Sequence, residues 1–331
     1  MIVLSLFDGM SGARVALEKA GAKVEKYYSS EIDKYAIQVA NKNYPQDEKY
    51  RLGDVTKLSR EDIISIGKVD LLVGGSPCQN LSFAGKRKGL STKENINITS
   101  FSKYLELREL GYEFEGQSWL FWEYVRVLKI VKPKYFLLEN VKMSKKWLGV
   151  FEDILGVKSV LINSNNFVPQ NRERYYFANF DIKHPLVFSN PQLKEVLEDV
   201  NPKNYDIHEC GHKICHTIKP QIRENITRNI QEIFNCKKDF HTMKLGITSG
   251  WSDNKIGLKT TPTLRAQNNA TYVLDEKNKV FRRLTEDERD VLQGYRKGYT
   301  SLANKTNRVK LTGNSFTTDV VAYILKGIID N

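Results

Sequence analysis

The feature that most constrains this chain is an alternation, over its first 180 residues, of short β-rich runs with helical patterns. The runs are MIVLSLF (1–7), VEKYYSS (24–30), KYRLGDV (49–55), VDLLVGG (69–75), KYFLLENV (134–141), KSVLINSNNF (158–167) and ERYYFANF (173–180). Between them lie helix-like stretches such as SGARVALEKAG (11–21), DKYAIQVANKNY (33–44) and WLFWEYVRVLKIV (119–131). Such an order predicts an α/β fold, a mostly parallel sheet with helices on both faces. Ligands of such sheets bind at the carboxyl ends of the strands, so the residues that end each run are the ones to question.

The alternation stops near residue 184. From there to 280 the chain is rich in Asn and Lys, is punctuated by Pro185, Pro191, Pro202 and Pro220, and shows no βα period. The reading is therefore a catalytic domain over 1–183, a smaller irregular domain over 184–304, and a C-terminal helix in 305–331 that returns to the first domain. Two domains suit 331 residues, because single cores stop growing near roughly 250 to 300. Order resumes at RRLTEDERDVLQGY, where Thr285 and Glu288 have capping-box spacing. A last helix is expected after Thr317. No repeat or low-complexity tract is present. No run nears the roughly 18 apolar residues of a membrane span, and MIVLSLFDGM lacks the basic region of a secretion signal. A cytoplasmic monomer with no membrane association is expected.

FDGMSG (7–12) sits between the first strand and the first helix, and Glu31 ends the second strand. That is the layout of an adenosine-cofactor site: glycines let the backbone approach, and a carboxylate accepts from the ribose hydroxyls. Asp54, in GDV, is then placed to meet the adenine. A dinucleotide needs a third glycine for its pyrophosphate, whereas S-adenosylmethionine carries no phosphate, so FDGMSG favours the methyl donor. GGSPCQ (74–79) ends the very apolar fourth strand. A lone Cys is more often a buried structural residue, but Pro77 and two glycines upstream indicate a backbone shaped for display, and basic Lys86, Arg87 and Lys88 nearby favour thiolate. An amino-group methyltransferase would carry Asn or Asp before Pro-Pro and an aromatic here, and none is present.

ENV (139–141) ends the next strand with a carboxyl that can donate a proton or hydrogen-bond at neutral pH. In QNRERYYF (170–177) Gln170, Arg172 and Arg174 alternate, which predicts that all three face one side of a strand. These residue types fit one chemistry. Cytosine C5 is too electron-poor to attack a sulfonium methyl, and a thiolate adding to C6 converts the ring to an enamine that can. A carboxyl near N3 and the exocyclic amine, and a cation near O2, would stabilise that step. The balance of charge agrees, since 51 Lys and Arg against 39 Asp and Glu leave +12, which suits a polyanionic partner.

In order, FDGMSG, Glu31, GDV, GGSPCQ, ENV, QNRER, LQGY and GNSF resemble the motif series of the cytosine-C5 DNA methyltransferase family, bacterial or bacteriophage type, across residues 4–325. The resemblance implies a Rossmann-like S-adenosylmethionine-dependent methyltransferase fold with a target-recognition domain in the irregular stretch. It implies methyl transfer to C5 of a flipped-out cytosine in double-stranded DNA, in restriction-modification or phage self-protection. Cys78 would be the nucleophile, Glu139 the base-binding acid, and Arg172 and Arg174 would contact cytosine or orient the loop. Asn140 would brace the Pro77–Cys78 turn, with Gln79 beside it. Phe7, Asp8, Gly9, Gly12, Glu31, Ile32, Asp54, Val55, Pro77, Leu120, Asn314 and Ser315 would line the S-adenosylmethionine pocket. Lys86, Arg87, Lys88 and, in PTLRA (262–266), Thr263 would meet DNA. Two rivals share the motif order: a tRNA cytosine methyltransferase and a catalytically silent DNA-binding homologue.

The chain departs from the family pattern in two places. FDGMSG has Asp8 and Ser11 where many bacterial members have Ala and Gly. About thirty residues (86–118) separate GGSPCQ from SWLFWEYV, more than is usual, which is either a surface extension or a source of DNA contacts or loop motion. Four cysteines in 331 residues indicate free thiols in a reducing compartment. Cys210, Cys215, Cys236 and His241, with His208, His212 and His216 nearby, have a spacing compatible with zinc, but target domains of this family generally lack metal and none is assigned.

Overall fold

The computed structural model describes residues 1–78, 80–81, 89–185, 191–199, 242–244, 256–257, 260–266, 271–275 and 280–330. The chain forms two compact units, one of Met1–Asn163, Glu173–Leu186 and Ser315–Asn331, the other of Ser164–Arg172 and Val187–Asn314.

The first unit is built on β1 (Ile2–Leu6), β2 (Lys26–Ser30), β3 (Arg51–Gly53), β4 (Leu71–Gly75), β5 (Tyr135–Val141) and β6 (Val160–Asn163). Strand β7 (Gln170–Asn171) belongs to the second unit, and β8 (Glu173–Ala178) completes the first unit's sheet in the order β3-β2-β1-β4-β5-β8-β6. The pairings among β1 to β5 are parallel, while β8 runs antiparallel to both β5 and β6. The sheet is thus mostly parallel, as expected, with one reversed strand that alternation could not announce. Val3, Leu4 and Leu6 in β1 and Leu71, Leu72 and Val73 in β4 are all 0–1% exposed. Such unbroken burial requires cover on both faces, which is why these strands read as apolar runs and not as alternation.

Helices α1 (Gly12–Lys19), α2 (Lys34–Asn43), α3 (Arg60–Ser65), α4 (Phe101–Glu109), α5 (Phe121–Val131) and α6 (Lys145–Leu155) supply cover. Two start signals are local. Asp33 caps α2 by accepting from the amides of Tyr35 and Ala36, and Ser59 with Asp62 forms a capping box on α3. Segment 89–118 is more than a surface extension: Leu90, Ile98 and Tyr104 are fully buried and Leu107 nearly so, within the same core as β1, β4 and α5.

The second unit has its own small core of Leu193, Leu264, Val273, Leu284 and Leu292. Strands β9 (Thr242–Lys244), β10 (Ile256–Gly257), β12 (Thr271–Asp275) and β13 (Val280–Arg283) form an antiparallel sheet in the order β10-β9-β12-β13, and β11 (Thr261–Pro262) pairs in parallel with β7. Helix α7 (Glu286–Leu292) begins at the expected box, with Thr285 accepting from the Glu288 amide and the Glu288 side chain accepting in return. Helix α8 (Lys305–Asn314) closes this unit, and α9 (Thr318–Ile329) packs on α1 in the first. Among the described residues no helix is long and apolar enough to cross a membrane.

Candidate active site

The turn after β1 is held in an unusual shape. Phe7, Gly9 and Ser11 have φ of 55°, 58° and 63°, the left-handed region that L side chains avoid. Asp8 holds it there from inside. Its carboxylate accepts from Tyr27 Oη at 2.6 Å and Ser11 Oγ at 2.9 Å, with Arg51 at 3.7 Å, and its side chain is wholly buried. Burial pushes the Asp8 carboxyl above its ordinary range, opposed by the Tyr27 and Ser11 hydrogen bonds and the Arg51 charge. Asp8, expected to line a cofactor pocket, therefore has both oxygens engaged, Oδ2 by Ser11 within the turn and Oδ1 by Tyr27 of β2.

Glu31 and Asp54 end β2 and follow β3, as expected. Glu31 Oε2 accepts from the Gly9 amide at 2.7 Å, and Oε1 accepts from the amides of Ile32 and Asp33, both at 2.8 Å. A carboxylate offers about four acceptor positions. Three are taken, so accepting two ribose hydroxyls would require sharing or releasing one amide. Asp54 commits Oδ1 to the amide of Thr56 at 2.9 Å and its hydroxyl at 2.8 Å, and Oδ2 carries no hydrogen bond among the described residues. Beside these carboxylates Ile32 is 67% exposed, which leaves an apolar surface next to Glu31, while Val55 is buried.

The Cys78 turn depends on residues that approach too closely for side chains. A Cβ on Gly74 would lie 2.9 Å from Leu6 O and 3.1 Å from Tyr124, and one on Gly75 would lie 2.7 Å from Phe316 and 3.2 Å from Glu139 Oε2. The glycines are thus there for room as well as for display. Asn140 Nδ2 donates to Ser76 Oγ at 3.0 Å and Ser76 O at 3.2 Å, which fixes the residue just before Pro77. Cys78 is half-buried and forms no disulfide, and its carbonyl accepts from the Leu81 amide at 3.0 Å. Sequence reasoning missed Asn80. Its amide donates to Ser118 Oγ, its side chain to Glu115 O, and its carbonyl accepts from Gly89 N, each at 3.0 Å. The signal was absent because the partners stand up to 38 residues away. Gln79, Lys86, Arg87 and Lys88 lie outside the described residues, as do Cys210, Cys215, Cys236, His241, His208, His212 and His216.

Glu139 is in register with Gly75 on one side and Tyr176 on the other, and Arg174 pairs with Val141. The two side chains form an ion pair, Arg174 Nε to Glu139 Oε1 at 2.9 Å, each 14% exposed. Arg174 Nη1 donates to Glu173 O at 2.8 Å. Glu139 Oε2 and Arg174 Nη2 are left without a hydrogen-bond partner among the described residues, an acceptor and a donor side by side.

The alternation of Gln170, Arg172 and Arg174 is broken at Arg172, which separates β7 from β8. Only Arg174 is in the first unit. Gln170 and Arg172 are buried and serve the second: Gln170 Oε1 accepts from Leu264 N at 2.9 Å, and Arg172 Nη1 donates to the carbonyls of Leu264 and Gly313, both at 3.4 Å. The three therefore do not share one strand face as expected, because the strand ends between them. Thr263 Oγ1 donates to Asn171 O at 2.6 Å, so its proton is not available to a phosphate unless that bond is released. Leu120 and Pro77 are half-buried in the first unit. Asn314 is exposed in the second, and Ser315, in the first, donates to Phe316 O at 3.1 Å.

A sequence profile of C-5 cytosine-specific DNA methylases matches residues 1–330. The chain is 30% identical over 342 residues to the type II methyltransferase M1.ScrFI of Lactococcus lactis subsp. cremoris, covering 99% of this chain and 78% of that protein. With the type II methyltransferase M.NgoBV of Neisseria gonorrhoeae it shares 34% identity over 225 residues, 60% of this chain and 47% of that protein. Among solved structures a DNMT2 variant of Spodoptera frugiperda superposes with a TM-score of 0.63 at 17% identity, covering 99% of each chain, a likeness of fold alone. Fold, motif order and profile converge, and the chain belongs to the C-5 cytosine-specific DNA methylase family.

Proposed function

We propose that this protein transfers a methyl group to C5 of a cytosine flipped out of a specific duplex DNA sequence, through a covalent adduct of Cys78 at C6. The observation that carries the reading is the Glu139–Arg174 pair, in which Glu139 stands opposite Gly75, three residues before Cys78. Its spare acceptor, Glu139 Oε2, complements the exocyclic amine of cytosine, and its spare donor, Arg174 Nη2, complements O2. The Arg174 contact draws electron density toward O2 and so favours thiolate addition at C6, while the Glu139 acceptor holds the exocyclic amine and orients the ring. The Cys78 thiolate forms the C6–S bond and the ring electrons move to C5, which takes the methyl; water then accepts the C5 proton, and the C–S bond breaks with its electrons leaving on the Cys78 thiolate, which restores the aromatic ring. Asn140, through Ser76, keeps the thiol at the strand end while the bond forms and breaks.

S-adenosylmethionine, when bound, supplies an electrophilic methyl on a sulfonium. Glu31, Asp54 through Oδ2, Ile32 and the left-handed turn around Gly9 are the groups that would hold it. The small second unit would carry target recognition, and extruding the base costs a few kcal/mol, which contacts there and at Glu139 and Arg174 must offset. A role in restriction-modification or phage self-protection accords with the type II designation of the similar Lactococcus protein. The test is a duplex containing 5-fluorocytosine, on which the C5 substituent cannot be eliminated after methylation. The native protein should form a covalent complex that survives denaturation, and Cys78→Ala should form none. A native protein that binds and turns over duplex DNA without trapping this base, or trapping that persists in Cys78→Ala, would sink the mechanism.

A further inference from the structure

The buried carboxylate of Glu123, on α5, takes no part in the chemistry above. Its side chain has no exposed surface and is gripped from two helices. Within α5, Arg126 Nε donates to Oε2 at 2.8 Å. From α4, Tyr104 Oη donates to Oε1, and Arg108 Nη1 donates to the same oxygen at 2.7 Å. A carboxylate so buried depends on every partner, since losing one leaves charge uncompensated in a low-dielectric interior.

The two arginines direct their remaining donors to one stretch of chain. Arg126 Nη2 and Nη1 donate to Val55 O at 2.8 Å and Leu58 O at 3.1 Å. Arg108 Nη2 donates to Thr56 O at 3.0 Å. These carbonyls form the turn that begins at Asp54, whose own Oδ1 is tied to Thr56. One buried carboxylate therefore anchors three carbonyls next to the residue read as the adenine ligand.

We propose that the Glu123 cluster is a positioning device for the Asp54 turn, and that Arg108, contributed by the long 89–118 segment, sets the affinity for the adenosine end of the methyl donor. The proposal rests on reading Asp54 as an adenine ligand. Arg108 is a positioning residue: it acts through Thr56 and Glu123 by ordering the turn before binding, so that less conformational freedom is lost when the cofactor arrives.

Titration calorimetry of the full-length protein with S-adenosylhomocysteine reads this directly. Arg108→Ala should weaken binding roughly 3- to 10-fold, the range of a net hydrogen bond. The KM for the methyl donor should rise with it, while kcat at saturating cofactor and DNA stays within about twofold. Arg108→Lys, which keeps a charge beside Glu123 but cannot span both partners, should weaken binding in the same direction by less. Asp54→Ala is the control. If Asp54→Ala binds like the native protein, the adenine reading falls and takes the proposal with it. If Asp54→Ala weakens binding and both Arg108 variants do not, the adenine reading stands and the positioning role is overturned.

Discussion

At the scale of single residues the telling case is Asp8, a carboxylate with a structural task at the turn after β1. A carboxyl whose folded pKa is raised binds its proton more tightly in the fold than in the unfolded chain. Its contribution is full below the unfolded value of 3.8 and is lost as pH rises through the raised folded value. Asn at this position keeps the shape, can still accept from Tyr27 or Ser11, and does not titrate. The stability of the native protein relative to Asp8→Asn should therefore fall as pH is raised from about 4 toward 8. Urea unfolding of both proteins across that interval reads the difference, and a flat difference would show that Asp8 ionises as easily folded as unfolded. Residue types were also the most legible part of the site. Cys78 and Glu139 stand out because each is a reactive or charged group at the end of an apolar run, and Arg174 because it belongs to a charged alternation. Ser76, Asn80 and Ser118 could not be read, because their roles are bonds with backbone, hydroxyl or side-chain amide groups far away in sequence.

At the scale of elements, strand ends do the positioning, and how tightly they pack decides what they tolerate. Gly75 ends β4 between Phe316 and the Glu139 carboxylate, where a methyl would meet Phe316 at 2.7 Å. Gly75→Ala should destabilise the first unit by roughly 1 to 3 kcal/mol, the cost of overpacking a filled site. It should also slow trapping of 5-fluorocytosine, since Glu139 must shift from its register with the strand. Wild-type stability by chemical denaturation would mean that Phe316 yields freely. Strands β1 and β4 of the parallel sheet were legible because burial on both faces writes a near-unbroken apolar run. Helix α4 was not, because FSKYLELRE buries only Tyr104 and Leu107, too little for a readable stripe. The break at Arg172 was equally hidden, since an alternating Gln, Arg, Arg pattern looks the same whether one strand carries it or two.

At the scale of the whole molecule the surplus of 12 positive charges becomes an argument about DNA. Each phosphate neutralised by a Lys or Arg releases condensed counterions, so log K falls with log salt by about 0.9 per contact on duplex DNA. Lys86, Arg87 and Lys88, read as DNA contacts, follow the Cys78 turn in sequence. If all three meet phosphates, replacing them together with Gln should reduce the salt slope by about 2 to 3 and weaken binding to specific and nonspecific duplexes alike. Fluorescence anisotropy over a salt series separates the possibilities. An unchanged slope would remove the three from the interface, whereas a loss confined to the specific duplex would make them base contacts and not backbone ones. That distinction matters for the whole chain, because nonspecific affinity set by charge governs how a flipping enzyme finds its site. On the proposed assignment of target recognition to the smaller unit, sequence preference would come instead from side chains there, where the alternation that made the first unit readable does not exist.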